Sequence, residues 1–139
     1  MKIMELQVGV KIAIIKDHKV LLLKRADGKY KDIQGDRWDI VGGRINPGAP
    51  LLENLKREVF EETKMQIAGE PKLVAAQDIL KSSDKHVVRL TYIGSSSGEV
   101  VLDEDHDKFM WASLAEIKQL GEALDSYFKE LIDSGAISL

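Results

Sequence analysis

Three glutamates on one predicted helix are the residues of this chain best suited to chemistry. Glu58, Glu61 and Glu62 are spaced i, i+3 and i+4, so their carboxylates would project from one side of a helix within a single turn. Like charges at this spacing repel one another unless something neutralises them, and carboxylate oxygens suit Mg²⁺ together with substrate phosphates. The spacing therefore indicates a metal-dependent phosphate site. A solvated helix face is the alternative, because charge runs such as REVFEE are common on helix surfaces.

A strand-like run and two turn signals precede this helix. Trp38-Asp39-Ile40-Val41 is short and largely apolar, Gly42-Gly43 ends it, and Asn46-Pro47-Gly48 marks a second turn. Glycine at 42 and 43 lets the main chain approach a ligand closely without a Cβ penalty. A strand, a glycine-containing loop and an acidic helix, in this order, predict one pocket lined by backbone groups and carboxylates.

Residues 43–65 resemble the Nudix box. That motif reads Gly, five residues, Glu, seven residues, Arg-Glu, an aliphatic, any residue, Glu-Glu, any residue, Gly and an aliphatic. The chain keeps the spacing throughout, and the matching positions are Gly43, Arg57, Glu58, Val59, Glu61, Glu62 and Met65. It departs at two positions, where Ala49 replaces the first Glu and Lys64 replaces the second Gly.

The resemblance implies an α/β fold, the Nudix-type α/β/α sandwich with a mixed β-sheet, and one Nudix hydrolase domain over residues 1–139. It implies Mg²⁺ as the cofactor, with Mn²⁺ as a substitute. Glu58, Glu61 and Glu62 would supply carboxylate ligands, and the resemblance adds the main-chain oxygen of Gly42. Glu58 is the implied residue for activating or orienting water, and a later carboxylate often joins the catalytic set. In the segment Asp103-Glu104-Asp105-His106, the spacing to Trp111 favours Asp105.

Arg57 and Glu53 are predicted to support the site rather than to act in it. Arg57 points about 100° away from Glu58 around the helix, so we expect it to orient a carboxylate, with direct phosphate binding as the alternative. In the family, the first Glu of the box commonly pairs with this Arg. Glu53, four residues before Arg57, could take that role in place of the missing Glu, or it could be a surface residue.

Lys24, Arg25 and Trp38 are candidate substrate-binding residues. Lys24 and Arg25 stand at the end of a predicted strand, where they could meet substrate phosphates or simply be solvated. Trp38 could stack on a base, although a tryptophan within an apolar strand is more often part of the core. For each of these three residues, both alternatives remain open from the sequence.

The resemblance implies a hydrolase that cleaves a phosphoanhydride of a nucleoside diphosphate linked to another group. ADP-ribose hydrolases of the family tend to carry a Pro about fifteen residues beyond the box, and dinucleoside polyphosphate hydrolases a Tyr. Positions 79–82 are Ile, Leu, Lys and Ser, which favours a (d)NTP pyrophosphohydrolase of the MutT-like kind. The alternatives are an ADP-ribose or dinucleotide pyrophosphatase and a nucleotide-sensing domain with little or no turnover.

Composition limits the other classes of function. The 139 residues carry a net charge of −3, so nothing draws the chain generally to nucleic-acid backbones. The absence of cysteine fits a cytoplasmic protein, and neither a signal peptide nor a membrane-spanning run is expected. The expected partner is a nucleotide or a nucleoside diphosphate derivative, and a homodimer is left open.

Apolar periodicity predicts the elements that position these residues. A hairpin is expected from Leu6–Ile15 and Val20–Leu23, a polar loop at Lys29–Asp36, and the box helix at about Pro50–Lys64. A turn is expected at Ser95–Gly98, and the final helical region opens at Ser113 or Leu114 with a break near Gly121. The remaining predicted strands are Trp38–Val41, Lys72–Leu80, Val87–Ile93, Val100–Val101 and Phe109–Trp111.

Overall fold

A computed structural model of the chain describes residues 3–26 and 38–139, in which a mixed β-sheet carries helices against it. The predicted polar loop Lys29–Asp36 lies outside the described residues. The strands are β1 (Glu5–Lys16), β2 (Lys19–Arg25), β3 (Trp38–Asp39), β4 (Val41–Arg44), β5 (Gln66–Ile79), β6 (Lys85–Ser97) and β7 (His106–Ala112). The helices are α1 (Leu51–Thr63), α2 (Leu114–Leu120) and α3 (Ser126–Asp133), with a 3₁₀ turn at Gly121–Ala123 between α2 and α3.

The long strand β1 organises the sheet. It runs parallel to β6 over Glu5–Ile14 and antiparallel to β4 over Gly9–Ile12, and its end forms a hairpin with β2. Strands β5, β3 and β7 then extend the sheet through antiparallel pairs with β6 and β2. The predicted mixed sheet is therefore confirmed. The predicted hairpin is also present, with Asp17 and His18 at φ 53° and 61°, as a tight turn between twisted strands requires.

Two buried clusters hold the helices in place. Helix α1 buries Leu55 and Val59 against β1 and β4, in a cluster that also contains Tyr92 of β6. The second cluster packs Phe128 of α3 and Ile117 of α2 against the β1–β2 region. Burial of each large apolar side chain stabilises the fold by roughly 1.5–3 kcal/mol. The same packing brings Glu58 and Glu62 of α1 against Gly43 and Gly42 of β4.

Four predictions of strands and turns were wrong. Gly42-Gly43 does not end the strand that begins at Trp38, because β3 ends at Asp39 and both glycines pair with β1 inside β4. Val100–Val101 is not a strand, because the Val101 amide donates to the Thr63 carbonyl at the end of α1 (2.8 Å). Ser95–Ser97 is not a turn but the end of β6, paired with Gln66–Ala68. Strand β5 accordingly begins at Gln66 rather than at Lys72, and a register shift between Ala68 and Lys72 accommodates Gly69 and Pro71.

No helix in residues 3–26 or 38–139 is long and apolar enough to cross a membrane.

Pro50 precedes the first turn of α1 with φ −60° and supplies no side-chain cap. In its place Asn54, within the helix, donates from its side-chain amide to the carbonyls of Ala49 and Pro50 (3.1 and 3.0 Å). This interaction fixes the direction in which the turn at residues 46–50 enters α1.

Candidate functional site

A cavity of about 500 Å³ opens between helix α1, strands β1, β4 and β6, and the segment before β7. Six of the residues selected from the sequence line it, namely Arg25, Gly42, Glu58, Glu61, Glu62 and Asp105. The lining residues that sequence reasoning did not select for the site include Lys11, Asp39, Arg44, Lys81, Arg89, Asp103, His106, Asp125 and Tyr127. The cavity therefore has an acidic wall on α1 and an inner end on the sheet.

Gly42 and Gly43 shape the boundary between the sheet and α1. Gly42 has φ +142°, and a Cβ there would lie 2.1 Å from the Val10 carbonyl oxygen of β1. A Cβ on Gly43 would instead lie 2.7 Å from Oε2 of Glu58. Gly42 is thus required by the backbone, whereas Gly43 leaves the space that the Glu58 carboxylate occupies.

The three glutamates of α1 differ in their exposure to solvent. The side chains of Glu58 and Glu62 are 13% and 9% exposed, and that of Glu61 is 56% exposed. Burial raises the pKa of Glu62 well above its usual value, and the neighbouring Glu58 carboxylate raises it further, while the Lys11 charge lowers it. The Gly42 amide approaches Glu62 Oε1 at 3.5 Å. The inner pair, Glu58 and Glu62, therefore concentrates negative charge that a cation would relieve.

Arg57 contacts the carboxylates of Glu58 and Glu61, which both follow it in α1. Its Nη1 donates to Glu58 Oε1 at 2.9 Å and to Glu61 Oε2 at 3.2 Å, which is the geometry expected of a residue that orients carboxylates. Its Nη2 donates to the Arg44 carbonyl and to Asn54 Oδ1, at 3.2 and 3.1 Å. In the described part of the chain, Glu53 is not among its partners. Asn54 occupies the role proposed for Glu53, and a polar residue at i−3 was the available signal.

The donor set of this wall fits a hard divalent cation. Within the described ranges, no three acidic or histidine side chains are arranged closely enough to hold an ion as they stand. Two of the predicted ligands, Glu58 and Glu61, are drawn toward Arg57, and the Gly42 carbonyl accepts a hydrogen bond from Lys11 Nζ (3.2 Å). Carboxylate and carbonyl oxygens on one wall, with Glu58 and Glu62 adjacent to each other, nevertheless match the ligands that Mg²⁺ takes.

The first residue of β7, His106, lies at this wall. His106 Nδ1 lies 2.8 Å from Asp103 Oδ1, and its Nε2 lies 4.0 Å from Glu62 Oε1. Asp105, selected from the sequence, lines the same cavity, and its carbonyl accepts from the Ala26 amide at 2.8 Å. The Asp-x-x-His spacing was visible in the sequence, but nothing in the local pattern indicated that it would face α1.

The inner end of the cavity is a buried network of two carboxylates and two cations. Arg89 of β6 contacts Asp39 through both terminal nitrogens (3.1 and 3.2 Å) and reaches Asp125 Oδ2 through Nη1 (3.1 Å). Lys11 of β1 lies 3.1 Å from Asp39 Oδ2. Since the four side chains carry two charges of each sign, the network is neutral overall. Its members lie on β1, β3, β6 and the start of α3, far apart in the chain.

The two carboxylates of this network titrate differently. Burial alone would raise the pKa of Asp39, but the Lys11 and Arg89 charges and their hydrogen bonds outweigh burial and lower that pKa to about 2. Burial raises the pKa of Asp125, and the nearby Asp39 carboxylate adds to the increase, although Arg89 opposes it. Asp125 also accepts from the Phe128 amide at 2.9 Å and so caps α3. The Asp125 carboxylate therefore both caps α3 and pairs with Arg89 in the network.

The basic and aromatic candidates occupy different places. Arg25 lines the cavity, whereas Lys24 and Trp38 are not among its lining residues. Lys24 Nζ lies 3.3 Å from Asp107 Oδ1, and Trp38 packs against the core cluster that contains Phe128. The core alternative for Trp38 is the one that this packing supports. The aromatic ring that does line the cavity is Tyr127, on α3.

Comparisons with known proteins agree with this architecture. Residues 5–131 match the model of the NUDIX domain family. A protein of Bacillus subtilis (strain 168), whose assignment as an 8-oxo-dGTP diphosphatase is provisional, is 30% identical over 87 residues. That match covers 63% of this chain and 51% of the relative, so the chain spans about half the length of the curated protein that it matches.

Solved structures match over most of the chain. The MutT protein from Methanosarcina mazei Go1 is 27% identical with a TM-score of 0.78, and the match covers 94% of this chain and 93% of that one. The MutT NUDIX hydrolase from Burkholderia pseudomallei is 24% identical with a TM-score of 0.69. That match covers 81% of this chain and 86% of that one, and at this identity it supports the fold.

Proposed function

This chain belongs to the NUDIX domain family, and from that premise we propose that it is a metal-dependent pyrophosphohydrolase that acts on a nucleoside triphosphate. The observation that carries the proposal is the contact between Gly43 and Glu58, which places a half-buried carboxylate beside the buried Glu62 at the cavity wall. Arg57 pairs with Glu58, but burial and the adjacent carboxylate still hold the pKa of Glu62 well above its usual value. The pair of Glu58 and Glu62 suits a site that binds a cation and a polyphosphate together.

The residues that line or adjoin the cavity would bind the metal, orient its carboxylate ligands and contact the substrate phosphates. Glu58, Glu62 and the Gly42 carbonyl would hold Mg²⁺ or Mn²⁺, with the more exposed Glu61 completing the set. The bound ion would shield phosphate oxygens and make a bound water more acidic. Arg57 would orient Glu58 and Glu61 through its two Nη1 hydrogen bonds. Arg25, at the cavity rim, would contact substrate phosphates.

The hydrolysis itself balances as a simple displacement. The oxygen of water forms a bond to phosphorus, the bridging P–O bond breaks, and the bridging oxygen leaves with one fragment. A carboxylate, Glu58 or Asp105, accepts the proton of the attacking water. The products of a nucleoside triphosphate would be the monophosphate and pyrophosphate. The name of the Bacillus subtilis relative supports 8-oxo-dGTP as the first substrate to test.

A substrate panel with Mg²⁺ tests the proposal. The panel contains 8-oxo-dGTP, dGTP, ATP, ADP-ribose and a dinucleoside tetraphosphate, and chromatography separates the monophosphate and pyrophosphate products. We expect turnover of a triphosphate that EDTA abolishes and that Mn²⁺ or Mg²⁺ restores. We expect Glu62→Gln to lower kcat by at least about 100-fold, which is the scale typical of a lost catalytic group.

The matched control is Glu53→Gln, which makes the same chemical change on the same helix but outside the cavity lining. It should leave kcat within about twofold of the native protein, because exposed charges away from a site contribute little. Tight nucleotide binding without turnover would instead support the nucleotide-sensing alternative. If the protein cleaves only ADP-ribose in this panel, the proposed triphosphate substrate is wrong and the ADP-ribose pyrophosphatase alternative is supported.

A further inference from the structure

Lys11 occupies the junction between the acidic wall and the buried network. It lies on β1 directly opposite Gly42 of β4, and its side chain is 17% exposed at the lining of the cavity. The box motif begins at Gly43, so Lys11 lies outside that motif, although it lies within residues 5–131, which match the family model.

The Lys11 ammonium is surrounded by oxygens of the kind that bind cations. Nζ donates to the carbonyls of Ile40 and Gly42, both at 3.2 Å, and lies 3.1 Å from Asp39 Oδ2. Gly42 must be glycine for its carbonyl to lie here, since a Cβ would collide with the Val10 carbonyl of β1. Two main-chain carbonyls and one carboxylate are a ligand set that a metal ion could equally use.

The charge of Lys11 acts on both parts of the site. Its ammonium lies in the same cavity as Glu62 of α1 and is paired with Asp39 of the buried network at 3.1 Å. A unit positive charge at this junction repels any divalent ion held by the neighbouring glutamates, and this repulsion is strong because the surroundings are largely buried.

We propose that the Lys11 ammonium is an internal cation of the site, which competes with divalent metal ions for the inner end of the acidic cavity. Lys11 takes one acceptor position of the Gly42 carbonyl and the Asp39 carboxylate. It leaves the second lone pair of that carbonyl to a metal held by the glutamates, and it keeps the ion on their side of the cavity. The inference rests on the metal site of the proposed function. It predicts that removal of this basic residue strengthens metal binding, even though the same substitution impairs the site.

Direct Mn²⁺ binding, measured without nucleotide by the electron paramagnetic resonance signal of free Mn²⁺, tests the inference. The variants are Lys11→Gln, which keeps donors for the two carbonyls, Lys11→Met, which keeps only the shape, and Lys11→Arg, which keeps the charge. We expect Mn²⁺ to bind about tenfold more tightly to the two neutral variants, or to occupy a further site in them. Lys11→Arg should remain close to the native protein.

Lys16→Gln is the matched control, because it removes the same charge from the same strand at an exposed position. Its Mn²⁺ affinity should be unchanged. Equal strengthening in Lys11→Gln and Lys16→Gln, or unchanged or weaker binding in folded Lys11 variants, would overturn the inference. If the native protein binds no Mn²⁺, binding by the neutral variants still supports competition by Lys11, and an absence of binding in all of them refutes it.

A neutral variant that folds poorly remains informative. An ion that takes the place of the ammonium should stabilise the folded state by mass action, so Mn²⁺ should raise the Tm of Lys11→Met more than that of the native protein. A Tm that does not respond to Mn²⁺ contradicts the inference. None of these measurements involves nucleotide turnover, so failure of the proposed activity and failure of this inference give separate results.

Discussion

Oε2 of Glu58 lies 2.7 Å from the position that a Cβ on Gly43 would occupy, and Oε1 of the same carboxylate lies 3.0 Å from it. The contact joins strand β4 to helix α1 at the point where the acidic wall begins. It explains the glycine at position 43 without any need for an unusual backbone conformation, since only Gly42 of the pair has a positive φ. A substitution at 43 therefore acts on the carboxylate rather than on the backbone.

Gly43→Ala should displace Glu58 from the cavity wall while the sheet persists. A shift of about 1 Å in a positioned group can cost roughly 100-fold in rate, and we expect a loss of kcat on that scale for the best substrate of the panel. The measurement is steady-state turnover with Mg²⁺, together with the urea midpoint. The control is Gly94→Ala, also in a strand but outside the cavity lining, which should change only stability. Equal turnover in the two variants would contradict a role for this contact.

Arg89→Met should destabilise the protein strongly. Arg89 is buried between Asp39 and Asp125, so its removal leaves two carboxylates at the inner end of the cavity with only Lys11 to compensate them. Breaking a buried ion pair from one side costs about 3–5 kcal/mol, and we expect a loss of this size in the free energy of unfolding at pH 7. Urea titration measures it. A loss below about 1 kcal/mol, typical of an exposed pair, would show that the network is solvated.

The pH dependence of stability should report on Asp39. Its pKa is about 2 in the folded protein, against 3.8 for the ordinary side chain, so the folded state favours the ionised form. Asp39 therefore contributes stability above pH 4, and this contribution is lost as the pH falls from about 4 to 2. The difference of nearly two pKa units corresponds to about 2 kcal/mol.

The comparison of the native protein with Asp39→Asn isolates this contribution, because other groups titrate in both proteins. The difference in their free energies of unfolding should shrink by about 2 kcal/mol between pH 5 and pH 2. Urea titrations at several pH values provide the measurement. Parallel curves for the two proteins would show that Asp39 is not held in its ionised form by Lys11 and Arg89.

Ala49 and Asn54 should show a strong non-additive effect. The donors of Arg57 are already shared among Glu58, Glu61, Asn54 and the Arg44 carbonyl, so Ala49→Glu should change kcat by less than about twofold in the native protein. Asn54→Ala removes an acceptor from Arg57 and should lower kcat. In that background, the new carboxylate of Ala49→Glu should recover about half of the loss, because it can replace the missing acceptor. Additive effects in this double-mutant cycle would contradict the coupling.

The positions of Glu58, Glu61 and Glu62 on one side of α1 could be predicted because helical periodicity relates residues within a turn. The prediction that Gly42-Gly43 ends a strand was wrong, because both glycines pair with β1 inside β4. The inner network could not be predicted, because Lys11, Asp39, Arg89 and Asp125 are brought together only by strand pairing across the sheet. Their charges are also unremarkable in sequence, since isolated acidic and basic residues are usually solvated.

The same distinction explains the errors in the strands. Ser95–Ser97 has the composition of a turn, yet pairing with Gln66–Ala68 keeps these residues in β6, because tertiary context overrides weak local preference. Val100–Val101 has the composition of a strand, but the Val101 amide is taken by the end of α1. Trp38 was ambiguous for a related reason, since an apolar strand residue can face either the core or a cavity, and the register decides which.

Lys64 should be a site where a substitution stabilises the protein without affecting the reaction. It follows α1 in the left-handed conformation, with φ 61°, and its amide donates to the Phe60 carbonyl at 2.9 Å. A residue with a Cβ adopts this conformation at a cost of about 1 kcal/mol, which Lys64→Gly relieves. The variant loses the contact of the Lys64 ammonium with the Phe60 ring, at 5.0 Å, which is worth about 0.5 kcal/mol at an exposed position.

The net gain in the free energy of unfolding should therefore be about 0.5 kcal/mol for Lys64→Gly. Lys64→Ala keeps the backbone cost and loses the ring contact, so it should be less stable than the native protein by about the same amount. Calorimetric unfolding of the three proteins gives the order. Lys64 lies outside the cavity lining, so turnover should be equal in all three, and a stabilising effect of alanine would show that the left-handed backbone at residue 64 is not the source of strain.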